Sequence, residues 1–172
     1  GGSLTNEIID TFKASPQMPT TSAFIQQRSK IKPDAFKTIL DGFTRNVMAD
    51  SSKEMPIFAV DGSDIQIATN PDDYESYFPG TNGKKGYNLL HLNALYEINQ
   101  HLYVDTVIQK RKDWNEHKAL QEMVDRSTIN KALVIADRGY ESYNNMAHIQ
   151  EKGWYFLMRV KDGSGSIKGN LE

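Results

Sequence analysis

The sequence contains no cysteine. That excludes a disulfide framework and any thiolate zinc site, and it fits a reducing compartment. Nor is there an excess of either charge: 20 Lys and Arg stand against 22 Asp and Glu, a formal charge of −2. The strongly basic balance of many nucleic-acid binders is missing, so any such contact has to come from local basic clusters. No apolar run approaches the roughly 20 residues that a helix needs to span a bilayer. The first residues carry no secretory pattern, and a cytoplasmic location is expected. What is there is an ordinary mixture, 38% hydrophobic and 24% charged over 172 residues. That suffices for one domain with a real core, or one domain plus a small helical extension.

Residues 4–14 are expected to form a short helix, 15–20 a loop and 21–29 a second helical piece. A third helix starts near Pro33, a favourable first-turn residue. It places Ala35, Phe36, Ile39, Leu40, Phe43 and Val47 on one amphipathic stripe. Residues 4–52 thus read as an N-terminal helical region.

From Pro56 the period changes. Ile57-Phe58-Ala59-Val60 reads as a buried strand ending on Asp61. Residues 69–86, rich in Gly, Asn, Asp and Pro, read as a loop. Leu90, Leu92, Ala94, Tyr96 and Ile98 alternate onto one face, Asn99-Gln100 turns, and Leu102, Val104, Thr106 and Ile108 alternate again. These two segments predict an antiparallel hairpin. Asp113 and Glu116 have the spacing of a capping box ahead of a helical stripe, Ala119, Leu120, Met123 and Val124. Residues 132–136 are a second wholly apolar run, ending on Asp137. Residues 142–152 are expected to be helical and closed by Gly153, and 154–160 to be a last strand. The order over 53–162 is strand, strand, strand, helix, strand, helix, strand: an α/β core with three antiparallel strands first. Residues 163–172 form a tail without elements. Gly1-Gly2-Ser3 and Leu171-Glu172 look like cloning remnants.

Two carboxylates therefore close the two most apolar strands. One Asp after a strand is commonly a turn residue; two, in a strand order that allows the strands to be neighbours, suggest more. Neighbouring strands lie about 4.8 Å apart, and carboxylates at their ends can share divalent ions roughly 3.5–4 Å apart. Mg²⁺ prefers hard oxygens and keeps several waters, so it needs few protein ligands; Mn²⁺ can substitute. Asp61 and Asp137 are thus the candidate catalytic and metal-binding residues. Phosphoryl transfer, which asks mainly for positioning and charge neutralisation, suits them.

Arg138 is suited to a phosphate fork, and Tyr140 either contacts DNA or packs. Lys84-Lys85 and Lys110-Arg111-Lys112 are short basic clusters that either grip a DNA backbone or are solvated surface. Asp64 reads as a turn or strand-edge residue and His91 as a hydrogen-bonded structural one. Residues 74–78, with three aromatics in a polar loop, either face DNA or pack on the helical extension.

The run Phe58-Ala59-Val60-Asp61-Gly62-Ser63 resembles the first catalytic motif of DDE transposases from bacterial insertion sequences. Val134-Ile135-Ala136-Asp137-Arg138-Gly139-Tyr140-Glu141-Ser142 resembles the second, Asp-Arg-Gly-Tyr. Gly86-Tyr87-Asn88 through His91-Leu92-Asn93-Ala94-Leu95-Tyr96 is similar to the strand between them. Ser22-Ala23-Phe24-Ile25-Gln26-Gln27-Arg28 and Pro33-Asp34-Ala35-Phe36 resemble the N-terminal helices. The insertion-sequence-four family is the nearest likeness, over about residues 20–161.

The resemblance implies a ribonuclease H-like fold, which the strand order read above agrees with. It also implies Mg²⁺ on Asp61 and Asp137, and hydrolysis and strand transfer at transposon ends in a bacterial cytoplasm. DNA is the implied partner, with a homodimer in the full-length synaptic complex. The family's third motif, a helix with Tyr, Arg, Glu and Lys, has no counterpart after Val160. A fragment cut before that motif is therefore expected, folded but inactive in transposition. Two other readings stay open. One is a self-sufficient ribonuclease H-like nuclease using Glu116 or Glu122, although capping explains the first and solvation the second. The other is a non-catalytic DNA-binding fragment that works through the helices before residue 52.

Overall fold

A computed structural model describes residues 3–50, 54–163 and 167. The expected remnants at Gly1-Gly2 and Leu171-Glu172, most of the 163–172 tail and the expected boundary at residue 52 lie outside the described residues. The chain divides into two compact units, residues 1–42 and 43–172.

The first unit holds α1 (Leu4–Phe12), α2 (Thr21–Arg28) and the start of α3 (Asp34–Asp50). The Ser3 and Thr20 side chains cap α1 and α2 by accepting from Asn6 and Ala23 backbone N–H groups. The helical period of α3 is as predicted, but Phe36, Ile39 and Phe43 on its stripe are exposed, at 64%, 67% and 57%. Spacing fixes which residues share a face; it does not supply an element to cover that face.

The second unit is a mixed α/β domain. Its strands are β1 (Ile57–Ile67), β2 (Tyr77–Phe78), β3 (Tyr87–Glu97), β4 (Leu102–Lys110), β5 (Leu133–Ala136) and β6 (Tyr155–Met158). Helices α4 (Glu116–Arg126) and α5 (Tyr143–Glu151) flank β5 in sequence. The sheet order is β2-β3-β1-β5-β6, with β4 also paired to β3. Asn88 pairs with Ile67 on one side and Tyr77 on the other, so β2 lies on the edge of β3 away from β1. The pairs among β1 to β4 are antiparallel, whereas β1–β5 and β5–β6 are parallel. Parallel neighbours need crossovers, and α4 and α5 lie in the segments that make them. The core joins Phe58, Val60 and Leu95 of the sheet to Leu120, Met123 and Val124 of α4 and Ile149 of α5.

Three details differ from the expectation. Residues 69–86 are not all loop, because the buried Asn88 draws this segment into the sheet. Its amide donates to the Asn70 carbonyl (3.0 Å) and Ser76 Oγ (2.8 Å) and accepts from Asn70 N–H (2.8 Å). Two residues, β2, then pair with β3.

Next, β1 does not stop at Val60. Residues 62–66 have no apolar run to mark a strand, yet β3 offers an unbroken edge, and pairing continues from Phe58↔Glu97 to Ile67↔Asn88. Pairing with β5 ends at Val60↔Ala136, so the sheet forks just beyond that point.

Finally, the apolar stripe of β3 is its less buried face. Leu90, Leu92, Ala94 and Tyr96 are half-buried, whereas His91, Asn93, Leu95 and Glu97 are buried. The polar members survive there because almost every one is hydrogen-bonded. Glu97 accepts from Ile57 N–H at 3.1 Å, for example.

Candidate active site

Asp61 is the first residue of β1 beyond the stretch paired with β5, and Asp137 is the first residue after β5. Continuing the parallel register by one step sets them side by side at the fork. Asp61 lies within its strand rather than at its end, contrary to the expectation, because β3 carries β1 onward. Both carboxylates are exposed. Asp61 Oδ1 accepts from Gly62 N–H at 2.9 Å. Asp137 caps the tight helical turn Arg138–Tyr140, its Oδ1 accepting from Gly139 N–H at 2.7 Å. Neither forms an ion pair among the described residues. Two adjacent hard-oxygen donors without a compensating cation suit a divalent metal ion. Among the described residues, however, no three His, Cys, Asp or Glu side chains come together closely enough to hold one.

Glu116 is placed differently from its predicted role. No capping box forms with Asp113, which lies in the short turn Arg111–Asp113. The helix cap is Asn115, whose side chain accepts from Lys118 N–H at 3.0 Å. The Glu116 carboxylate is thereby free to turn toward β3. Its Oε1 lies 3.2 Å from His91 Nε2, and His91 Nδ1 lies 2.8 Å from Asp64 Oδ1. Arg111 Nε donates to Asp64 at 2.7 Å, and its guanidinium carbon lies 4.9 Å from the Trp114 ring, which packs 4.7 Å from the His91 ring. The bond from His91, followed by the effect of Arg111, holds the Asp64 carboxyl below the usual carboxylate range. His91 is hydrogen-bonded within the domain, as expected, while Asp64 is a strand residue that anchors it.

Register explains the arrangement. Gly62 and Asp64 of β1 lie opposite Asn93 and His91 of β3, so all four face α4. A Cβ on Gly62 would lie 2.5 Å from Glu116 Oε1, 2.6 Å from His91 Nε2 and 3.1 Å from Asn93 Oδ1. Asn93 is fully buried; its Nδ2 donates to Gln109 Oε1 at 3.2 Å, and its Oδ1 has no partner among the described residues. At Gly139 a Cβ would lie 2.8 Å from Asp137 Oδ1 and 3.7 Å from Glu116 Oε2. Glu116 therefore reaches toward Asp137. Its closeness was obscured in the sequence by the capping pattern, and only the pairing of β1 with β3 shows it.

Tyr140, expected as a possible DNA contact, is 1% exposed and belongs to the core, so its ring has no face to offer DNA. The turn after Asp137 folds it inward, against His117 at 6.5 Å. Burial, followed by the charges of Glu116, Asp61 and Asp137, raises its pKa, and its hydroxyl has no hydrogen-bond partner among the described residues.

Of the cationic candidates, Arg138, Lys84 and Lys85 are exposed, and Lys85 borders an open groove with Tyr77 and Tyr87. Lys110 is paired with Glu75, Arg111 with Asp64, and Lys112 donates to the Tyr74 carbonyl. The 110–112 cluster is thus tied to the protein, and it fastens the aromatic loop at 74–78. Glu122 pairs with Arg126 at 2.6 Å.

The family description "Transposase DDE domain" matches residues 52–170. The chain belongs to the DDE transposase family. Searches of curated proteins and of solved structures returned no match. The six-stranded mixed sheet with its two crossover helices agrees with the ribonuclease H-like fold of DDE transposase domains. Such domains generally bind DNA and depend on divalent metal ions, and the Asp61–Asp137 donor pair fits that chemistry. No helix among the described residues is long and apolar enough to cross a membrane.

Proposed function

We propose that this DDE transposase domain acts in cutting phosphodiester bonds at the ends of a bacterial insertion sequence and joining the freed 3′-hydroxyl to target DNA. The insertion-sequence-four group is the proposed subfamily, and the bacterial cytoplasm the proposed setting. The observation that carries this reading is the pair of exposed, uncompensated carboxylates, Asp61 and Asp137, at the fork between parallel strands. They are the proposed ligands of Mg²⁺, with Mn²⁺ as a substitute. When bound, such ions activate the attacking oxygen and stabilise the leaving one.

The protein's own part is positioning. The N–H groups of Gly62 and Gly139 each fix one oxygen of the neighbouring carboxylate. Arg138, beside Asp137 and without an ion pair among the described residues, is the proposed phosphate fork. Lys84 and Lys85 are proposed to follow the DNA backbone. Residues 4–52 are proposed as a helical region adjoining a core at 53–162, and a homodimer is proposed for the synaptic complex.

Calorimetric titration with Mn²⁺ tests the reading. Wild-type protein should bind weakly, since no third acidic or His side chain joins the pair among the described residues, and Asp61→Asn should abolish binding. Undiminished binding in that variant would remove the assignment.

A further inference from the structure

We propose that Glu116 is a positioning carboxylate for the Asp61–Asp137 centre, holding water bound to a hydrated divalent cation there, with Asn93 Oδ1 lining the same cleft. The proposal rests on the metal-binding reading above and deepens it.

Four observations point the same way. Asn115 caps α4, so the helix start leaves the Glu116 carboxylate unused by the cap. His91 grips one oxygen of Glu116, and Asp64 and Arg111 hold His91 in turn, so the carboxylate is set in place from behind. Gly139 leaves the ground between Glu116 and Asp137 clear, and Gly62 that among Glu116, His91 and Asn93, because a Cβ at either would enter it. Asn93 Oδ1 and the Tyr140 hydroxyl, on residues 0% and 1% exposed, are buried without partners among the described residues. Asn93 Oδ1 is aimed at the space over Gly62 where Glu116 Oε1 also lies. A buried acceptor is normally satisfied, so Asn93 Oδ1 is left for a partner that the described side chains do not supply.

The contact is through water rather than direct. Alternation along β1 turns Gly62 toward α4 and Asp61 toward the opposite face. Glu116 and Asp61 therefore meet only at the fork where β5 has ended. No three acidic or His side chains converge among the described residues, and Mg²⁺ readily keeps several of its waters.

Glu116→Gln is the decisive variant, because the amide oxygen still accepts from His91 and the helix start is unchanged. Mn²⁺ affinity should fall about tenfold or more, as for other groups that hold ligands around a metal. The melting temperature should hardly move, and Glu122→Gln should bind Mn²⁺ like wild type. Wild-type affinity in Glu116→Gln, with binding lost in Asp61→Asn, overturns this proposal and leaves the metal pair standing. Undiminished binding in Asp61→Asn overturns both. A measurement on unmutated protein guards against a misfolded variant. With ¹³C-labelled glutamate, the Glu116 carboxyl signal should broaden at a lower Mn²⁺ concentration than any other glutamate; another glutamate broadening first overturns the proposal.

Discussion

Gly62→Ala tests the packing that brings Glu116 to the sheet. Gly62 lies in a strand without positive φ, so the added methyl group meets no backbone strain. By itself, restricting the unfolded chain would stabilise the protein by about 0.4–1 kcal/mol. Against that stand the Glu116, His91 and Asn93 atoms at 2.5, 2.6 and 3.1 Å from the new Cβ. The ends of flexible side chains normally give way easily. Here His91 is bonded at both ring nitrogens and packed on Trp114, and Asn93 is held by Gln109. Overpacking of this kind costs about 1–3 kcal/mol, and a displaced charge-assisted bond adds roughly 1.5–3 kcal/mol. Crowding therefore wins, with a net loss of about 1–3 kcal/mol even after partial relaxation. Urea unfolding followed by near-ultraviolet circular dichroism reads it. Adding Glu116→Ala should relieve part of the crowding, with a coupling of at least about 0.5 kcal/mol in the double-mutant cycle. A Gly62→Ala protein as stable as wild type, or strict additivity with Glu116→Ala, would refute the reasoning.

Arg126 forks onto Asp105 through Nε and Nη2, both at 2.7 Å, and also reaches the Thr106 carbonyl at 2.8 Å, tying α4 to β4. Arg126→Met keeps the stem but deprives the largely buried Asp105 of that fork, and should cost about 1.5–3 kcal/mol in denaturant unfolding; a loss within experimental error would contradict it. Asp64 has a lowered folded-state pKa, from the His91 bond and then Arg111. Its contribution is therefore present above the unfolded value, about 3.9, and lost as pH falls through the lower folded value. The stability gap between wild type and Asp64→Asn should be level from neutral pH to about pH 5 and shrink below about pH 4; a gap that widens in acid would show the sign to be wrong. For DNA binding, Lys84→Ala with Lys85→Ala should lower the slope of log affinity against log salt by about 1–2 in fluorescence anisotropy. Lys110→Ala, already paired with Glu75, should change it less, and the reverse ranking would argue against the proposed DNA path.

What the sequence made legible was whatever depends on near neighbours. The hairpin of β3 and β4 shows in its alternation, α4 in the spacing of Ala119, Leu120, Met123 and Val124, and Asp61 and Asp137 in their place after apolar runs. Properties set across the sheet were hidden. Residues 62–67 form a strand only because β3 lends them an edge, so their own polarity gave no sign of it. His91, Asn93 and Glu97 alternate with Leu90, Leu92 and Ala94, and which of the two faces is covered depends on where α4 lands. Tyr140 followed Arg138 in a motif that suggested DNA, but the turn capped by Asp137 folds it into the core. Glu116 is the instructive case. A capping box from Asp113 explained it completely at the local level, and that sufficiency made a role at the site seem unneeded. The local explanation held only while the helix start was unknown. Once Asn115 is the cap, the same carboxylate bonds His91 instead, which is fixed there because β3 runs opposite Asp64. The residue's chemistry was thus decided by a strand register that no sequence neighbour of Glu116 takes part in.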